Sequence, residues 1–559
     1  MSGAGAEMGR DDLLIALRTQ PFDLLVIGGG IVGASIARDA VLRGLKVALV
    51  EQGDFAGGTS SKTSKLIHGG LRYLEQGRLG LVAESVQERH ILQTIAPELV
   101  RPLSILLPIY RGDRRGRWTI AAGLTLYDLL SFRHHARRHR MLSAVRARQV
   151  EPRLGRDGLH AAGLYTDAQM DDARLCLANA LQAIRFGAAC CNYAAVRALL
   201  KRSDGELAGA VVEDLRSGAS FEVRAAVVVN SAGPWGDAVR RLSDADAGTR
   251  LAPTKGAHLV LPRLTSHGLF FRVGRDQRMV FLLPWGDVSI LGTTESADID
   301  RLEALSTTRE EADYLLAALQ RVLPEAGITA ENVLGSYAGA RPLLSFSGSP
   351  TTASREHRIE IDAHGLVSVM GGKYTTARVM AQQTVDAVIR RWRFPAERCL
   401  TDQLSLLEPT HPILLSRWQE VTARIAPELL ARLLTTYGTG AFRVLELVEF
   451  EPQLLQPVCP HHDVIAAELV HIIREEMACT ISDVLLRRTR IAYSACQGLD
   501  LLALLSDLFQ RYGRCSPEEV TLQRQAYRRA LASSLSFRQP PSAWADDEDD
   551  ESLIGAQQG

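Results

Sequence analysis

A glycine turn close to the N-terminus restricts what this chain can fold into more than any other stretch. Asp23-Leu-Leu-Val-Ile-Gly-Gly-Gly-Ile-Val-Gly-Ala34 sets an apolar run, residues 24–27, directly before Gly28, Gly30 and Gly33. An apolar run of this length, bounded by a turn, suits a buried parallel strand. In the G-x-G-x-x-G spacing each glycine has its own task. Gly28 permits the tight turn, Gly30 lets the backbone approach a pyrophosphate, and Gly33 lets the following helix pack on the sheet. The helix N-terminus then offers free N–H groups to phosphate oxygens. A second strand at 47–50 delivers Glu51 roughly 20 residues beyond the turn, where a carboxylate accepts hydrogen bonds from an adenosine ribose. Strand, turn, helix, strand and acid in register predict a dinucleotide site.

The 559 residues suffice for three or four domains. Lysine and arginine balance aspartate and glutamate at 64 each, so no net field points to nucleic acid. Eight cysteines show no C-x-x-C spacing, which reads as reduced thiols in the cytosol. Cys459-Pro-His461-His462 lacks a second ligand pair at finger spacing, and no metal site is expected. Residues 1–21 read as a flexible extension without the apolar core of an export signal. No apolar run reaches the roughly 18 residues of a membrane span, so membrane contact is expected to be peripheral.

After Glu51 comes a loop packed with hydroxyls, glycines and cations that ends in apolar segments a plain linker would lack. Thr59, Ser60, Ser61 and Ser64 suit a pyrophosphate or a cofactor ring, with Lys65 beside them. His68 reads equally as a cofactor contact or as a histidine bonded to nearby backbone. Arg72 suits an anionic substrate because its planar fork binds phosphate bidentately, and Tyr73 follows it.

Further on, Arg111-Gly-Asp-Arg-Arg-Gly-Arg-Trp-Thr-Ile120 leads into an apolar stretch, 121–130, and a second basic cluster, 133–140. This reads either as a helix lying in an anionic membrane surface or as a core helix with solvated basic ends. Residues 175–186 have helical period, 211–215 with 221–224 read as a hairpin, and 225–229 read as a separate buried strand ending at Ala232 and Gly233. Residues 256–262 and 279–292 alternate like antiparallel strands bent at Pro284-Trp285-Gly286, a cap sheet over the cofactor. An amphipathic helix at 308–323 precedes a strand, 337–344, that carries Arg341; a charge among apolar neighbours is paired or functional. A last strand, 366–370, runs into Gly371-Gly372, which opens a helix where Lys373 and Thr375 can reach substrate or cofactor. Beyond residue 403 helical spacing dominates, at 412–415, 429–437, 464–477, 481–493 and 501–509.

Together, Asp23–Ala34 and Thr59-Ser-Ser-Lys-Thr-Ser-Lys-Leu-Ile-His-Gly-Gly-Leu-Arg-Tyr-Leu74 resemble the membrane-associated, FAD-dependent glycerol-3-phosphate dehydrogenases. Asp171-Asp-Ala-Arg-Leu175, Ala232-Gly-Pro-Trp235, Lys255-Gly-Ala-His-Leu-Val260, Pro284-Trp285, Leu291-Gly-Thr-Thr-Glu295, Ala340-Arg-Pro-Leu343 and Gly371-Gly-Lys-Tyr-Thr-Thr376 extend the resemblance in the family's order. Residues 475–490 are similar to the family's helical C-terminal domain. The chain departs from the family's commonest residues at Val32, Ser35, Glu295 and Tyr374.

The resemblance implies an α/β fold. A Rossmann-like FAD-binding domain (22–402) is interleaved with an antiparallel cap (mainly 78–165 and 250–345), followed by an all-α domain (403–537) and a disordered acidic tail (538–559). It implies oxidation of sn-glycerol 3-phosphate to dihydroxyacetone phosphate by hydride transfer to FAD. Electrons then pass to a membrane quinone, at an anionic inner membrane face reached from the cytoplasm. Arg341, His258 and Lys373 are expected to act in catalysis, and Arg72, Tyr73, Arg341, Lys373 and Thr375 to hold substrate. Gly28, Gly30, Gly33, Glu51, Thr59, Ser60, Ser61, Ser64, Lys65, His68, Ala232, Gly233, Gly371 and Gly372 are expected at the cofactor. Three alternatives stay open: an oxidase that uses oxygen, a flavin amine or 2-hydroxy acid oxidase, and a flavin-binding sensor or assembly subunit without turnover. The oligomeric state is also open, with a homodimer among the options.

Overall fold

The computed structural model describes residues 9–74, 77–131, 138–273, 278–345, 356–407 and 425–538. The helix expected at 412–415 and the acidic tail beyond 538 lie outside the described residues.

Leu24, Leu25 and Val26 are fully buried because the strand Phe22–Ile27 is the centre of a parallel sheet covered on both faces. The strand order is His357–Ile361, Val367–Gly371, Ser220–Asn230, Phe22–Ile27, Val47–Val50, Ala189–Cys191. All neighbours pair in parallel except the antiparallel edge strand His357–Ile361. The helices Ile31–Leu42, Asp172–Arg185 and Ala377–Trp392 bury their apolar residues against this sheet or one another. In such sheets ligands bind outside the carboxyl ends of the strands. Here those ends lead into Gly371, Ser231, Gly28, Glu51 and Asn192, in that spatial order.

One boundary differs from expectation. Ser220–Asn230 is a single strand, not the second arm of a hairpin followed by a separate strand. Its first half pairs antiparallel with Leu207–Asp214 and its second half pairs in parallel with Phe22–Ile27. The alternation of the outer half gives way to the continuous apolar run of the inner half, which mimics two elements.

The cap is a nine-stranded sheet in the order Gly335–Arg341, Thr254–Pro262, Val288–Gly292, Arg278–Trp285, Gly268–Val273, Val100–Tyr110, Leu159–Met170, Leu66–Ile67, with Arg140–Ser143 also pairing to Leu159–Met170. It is antiparallel apart from the parallel pair Gly268–Val273 with Val100–Tyr110. The helix Arg309–Val322 backs it, with Thr308 as an N-cap in a reciprocal capping box with Glu311.

Residues 1–21 are not a flexible extension as far as they are described. Arg10–Thr19 is a helix whose Leu13 and Leu17 are fully buried in the nucleotide-domain core, and Arg10 pairs with Asp214 at 2.6 Å. Its apolar residues run unbroken from Leu13 to Leu17; the helix turns Leu13, Leu14, Ala16 and Leu17 inward and leaves Ile15 exposed.

The C-terminal domain contains the helices Pro427–Tyr437, Ala441–Phe450, Ala466–Glu475, Leu502–Tyr512 and Pro517–Ser534. It is not all-α, because Pro457–Cys459 and His462–Ile465 form a small antiparallel hairpin. The stretch expected to be helical at 481–493 is split into a π-helix, Asp483–Arg488, and a 3₁₀ turn, Ile491–Tyr493. Buried charge pairs join this domain to the nucleotide domain: Arg488 and Arg487 reach Asp54 at 2.7 and 2.5 Å, and Arg174 reaches Glu476 at 2.6 Å. Arg538, expected in the disordered tail, donates to the carbonyls of Ala330 and Glu331.

Candidate active site

The carboxyl ends of the parallel strands open into a cavity of about 1390 Å³, which is walled on its other side by the cap. Two glycines of the opening turn are required by close approach. Gly28 has φ 107°, and a Cβ on Gly33 would stand 1.9 Å from the Gly28 carbonyl, so helix and strand touch backbone to backbone. Ser60 Oγ accepts a hydrogen bond from the Ile31 N–H at 2.9 Å, holding the site loop over the helix N-terminus. The Glu51 carboxylate accepts the Gly29 and Gly53 N–H groups at 2.6 and 2.8 Å, and enclosure by the protein pushes its pKa up. Thr59 donates to the Ala340 carbonyl at 2.6 Å, joining this loop to the cap.

Sheet register builds the reactive end. In the cap pair Thr254–Pro262 with Gly335–Arg341, Thr254 faces Arg341, Gly256 faces Gly339 and His258 faces Tyr337. Side chains two apart share a face, so His258 and Arg341 project to the same side with Gly256 between them. A Cβ on Gly256 would lie 2.3 Å from the Arg341 guanidinium, and one on Gly292 would lie 2.2 Å from the His258 ring. Both glycines make room for these two side chains. Arg341 donates to Thr293 Oγ1 at 2.7 Å and to the carbonyls of Lys255 and Thr294 at 3.3 Å.

His258 is 2% exposed and stacks on Tyr337 with ring centroids 4.9 Å apart. Its Nε2 and Ser64 Oγ share a hydrogen bond of 2.7 Å, and its Nδ1 has no partner among the described residues. Burial, with the charges of Arg341 and Lys65, lowers its pKa well below 6.5 and keeps the imidazole neutral. On another part of the wall Lys373 donates to Ser85 Oγ at 2.5 Å and lies 4.5 Å from the centre of the Tyr73 ring. His68 and Thr375 line the same cavity. Behind the loop, Gly69 N–H donates to Tyr127 and Asp167 at 2.9 and 3.2 Å, and Asp167 is paired with buried Arg89.

Of the expected site residues, the cavity gathers Gly28, Gly30, Glu51, Thr59, Ser60, Ser64, His68, Tyr73, Ala232, Gly233, His258, Arg341, Gly371, Gly372, Lys373 and Thr375. Gly33 lies behind the turn in its packing role. Two expectations are corrected. Lys65 is turned away from the cavity: its Nζ donates to both Asp172 oxygens at 2.8 and 2.9 Å and to the Ser61 carbonyl at 2.7 Å. Ser61 is buried and supplies that carbonyl instead of contacting the cofactor. Arg72 falls in the short helix Leu71–Leu74, and its side chain lies outside the described residues. The sequence reading missed Lys62, Arg272, Arg278, Thr293 and Arg487, which also line the cavity. Lys62, Thr293 and Arg487 stand inside stretches already quoted, whereas Arg272 and Arg278 carry no local signal that separates them from surface charges.

A family model described as FAD dependent oxidoreductase matches residues 23–387, and one described as the C-terminal domain of alpha-glycerophosphate oxidase matches 399–520. The aerobic glycerol-3-phosphate dehydrogenase of Bacillus subtilis is 35% identical over 87% of this chain and 90% of its own. The mitochondrial glycerol-3-phosphate dehydrogenase of Homo sapiens is 37% identical over 86% of this chain and 69% of its own. The X-ray structure of the glycerol-3-phosphate dehydrogenase from Bacillus halodurans, complexed with FAD, superposes with a TM-score of 0.77 at 28% identity, covering 95% of this chain and 98% of that one.

The chain belongs to the FAD-dependent glycerol-3-phosphate dehydrogenase family.

The residues present fit the family's cofactor. A glycine-framed phosphate turn, a clamping serine and an acid for a ribose stand in line along one crevice, large enough for an elongated dinucleotide. No helix among the described residues is long and apolar enough to cross a membrane.

The His258 environment has a consequence for pH. The neutral imidazole is the form that accepts a proton, and it is lost only as pH falls through a pKa held below the ordinary 6.5. The acid limb of kcat/KM is therefore expected below pH 6.5 and absent from the residual activity of His258→Gln. A limb at or above 6.5, or one that survives in the variant, contradicts the assignment.

Proposed function

We propose that the protein oxidises sn-glycerol 3-phosphate to dihydroxyacetone phosphate. Bound FAD supplies the hydride acceptor, held by the Gly28–Gly33 turn, Ser60 and Glu51. The observation that carries the reading is the pairing, on one face of the cap sheet, of the Arg341 guanidinium with the buried neutral imidazole of His258. A planar fork binds a phosphate or polarises a forming carbonyl, and a neutral imidazole accepts the proton of the alcohol. Lys373 adds a second cation to the anionic substrate, and Tyr73 lies beside it. Ser64 sets the orientation of the His258 ring. Burial keeps water from the base and strengthens each charge interaction in the pocket.

The support from relatives is their name and reach: proteins called glycerol-3-phosphate dehydrogenase align at 35–38% identity over 85–87% of this chain. Replacing Arg341 by Ala removes a charged hydrogen-bond donor, a contact worth about 1.5–3 kcal/mol. The expected result is a loss of about 10- to 100-fold in kcat/KM for sn-glycerol 3-phosphate with flavin content unchanged. Unchanged kinetics in that variant would exclude Arg341 from the substrate site.

The electron acceptor in this proposal is a quinone in an anionic membrane. The helix Arg117–Ser131 buries Ile120, Leu124 and Tyr127 and turns Trp118 (82% exposed), Leu126 and Leu129 (69%) outward, beside exposed Arg111, Arg114 and Arg117. Aromatic and aliphatic residues flanked by arginines suit the lipid headgroup boundary. Arg114 and Arg115 also line the cavity, so this face adjoins the site. Burying one large apolar side chain contributes about 1.5–3 kcal/mol. Trp118→Ser is therefore expected to weaken cosedimentation with anionic vesicles by about 10-fold or more and to slow quinone reduction, while reduction of a soluble dye persists. Undiminished vesicle binding would remove the helix from this role, and peroxide formed in place of reduced quinone would point to oxygen as the acceptor.

A further inference from the structure

Away from the flavin crevice, the C-terminal domain brings three metal-ligating side chains together. Cys459 and His462 sit opposite each other in the hairpin of Pro457–Cys459 and His462–Ile465, joined through Pro460 and His461. Cys496 arrives 34 residues after His462 and places its Sγ 3.4 Å from His462 Nε2. The two sulfurs and an imidazole nitrogen lie within 4.8 Å of one another. Around a tetrahedral zinc ion, with Zn–S of about 2.3 Å and Zn–N of about 2.0–2.1 Å, ligand atoms stand roughly 3.4–3.8 Å apart. Closing the observed triangle onto one ion thus needs only side-chain adjustment.

Three further features suit a cation. All eight cysteines of the chain are free thiols, so neither sulfur is spent in a disulfide. The exposed carboxylate of Asp500 acts electrostatically on both Cys459 and His462, adding negative charge near the cluster. Cys459 is buried, but His462 and Cys496 are half-buried, which leaves an entry path from solvent. Ser494 Oγ, 3.0 Å from His462 Nε2 and 3.3 Å from Cys496 Sγ, holds the open arrangement together.

We propose that Cys459, His462 and Cys496 bind one zinc-class divalent cation, with a water completing the tetrahedron. Two thiolates and an imidazole are the donor set that selects such an ion over calcium or magnesium. Binding releases the two thiol protons to solvent, so affinity rises with pH. The ion fastens the hairpin to the segment that carries Tyr493, whose ring meets Trp285 and Tyr337 edge-on at 5.4 and 6.0 Å. It is a staple close to the contact between the C-terminal domain and the cap, and it lies outside the catalytic machinery.

The test uses the full-length, flavin-loaded protein, reduced and stripped with a chelator, then titrated with Co²⁺ without oxygen. The expected result is the ligand-field spectrum of tetrahedral, thiolate-bound cobalt, at wavelengths beyond flavin absorption, saturating at one equivalent and displaced by Zn²⁺. Cys496→Ser and His462→Gln are each expected to weaken Co²⁺ binding at least 100-fold while retaining flavin and dehydrogenase turnover. Absence of the spectrum in the unaltered protein overturns the proposal, and that reading depends on no variant folding. So does a spectrum that Cys496→Ser leaves intact, or a Cys459–Cys496 disulfide occupying the site in the purified chain.

Discussion

One buried ammonium holds the parts of this enzyme in relation to one another. Lys65 Nζ donates to both oxygens of Asp172 and to the Ser61 carbonyl, and it lies 4.8, 5.0 and 5.8 Å from the ring centres of Trp285, Tyr337 and Tyr493. Those partners come from the site loop, the nucleotide-domain helix Asp172–Arg185, the cap sheet and the C-terminal domain. Lys65 and Asp172 are 1% and 0% exposed, so loss of either would strand the other charge in the interior at a cost of about 3–5 kcal/mol. Lys65 also has φ 58°, a conformation costing a non-glycine residue about 1–3 kcal/mol unless its surroundings enforce it. That backbone turn sends Lys65 inward and leaves the preceding Ser64 against His258.

From that anchor the walls of the cavity divide between two sheets. The parallel sheet contributes backbone: turns, helix N-termini and an acid at its carboxyl edge, in an order that suits an extended dinucleotide. The antiparallel cap contributes side chains, because its two-residue period carries His258 and Arg341 to the same face. Glycines at 256 and 292 are as necessary there as those of the phosphate turn, since any side chain would occupy the space of the guanidinium or the imidazole. The C-terminal domain reaches the crevice through Arg487, which also pairs with Asp54.

Much of this was legible in the residues themselves. Strands buried on both faces write themselves as short apolar runs, so the nucleotide sheet and its glycine turn could be read directly, and Arg341 stood out as a charge among apolar neighbours. The rest depended on information that local pattern does not carry. A loop of hydroxyls and cations shows no direction, so Lys65 was expected at the cofactor although a left-handed residue turns it into the core. Arg10–Thr19 holds a single short apolar run between charged residues, which local pattern does not separate from a terminal extension, yet Leu13, Leu14, Ala16 and Leu17 are buried. The strand Ser220–Asn230 changes partners midway and with them its periodicity. Cys459 and His462 were visible as a pair, but the third ligand, Cys496, is adjacent only in space.

In the proposed reaction, cations from the cap and the nucleotide domain, with the neutral imidazole of His258, present a small phosphorylated alcohol to a flavin lying along the glycine turn. Anaerobic titration of the purified flavoprotein with sn-glycerol 3-phosphate, followed by flavin absorbance, tests this most directly. Bleaching by that compound, with glycerol at the same concentration leaving the flavin oxidised, is the expected outcome. A flavin that stays oxidised with sn-glycerol 3-phosphate but is bleached by an amine or a 2-hydroxy acid would contradict it.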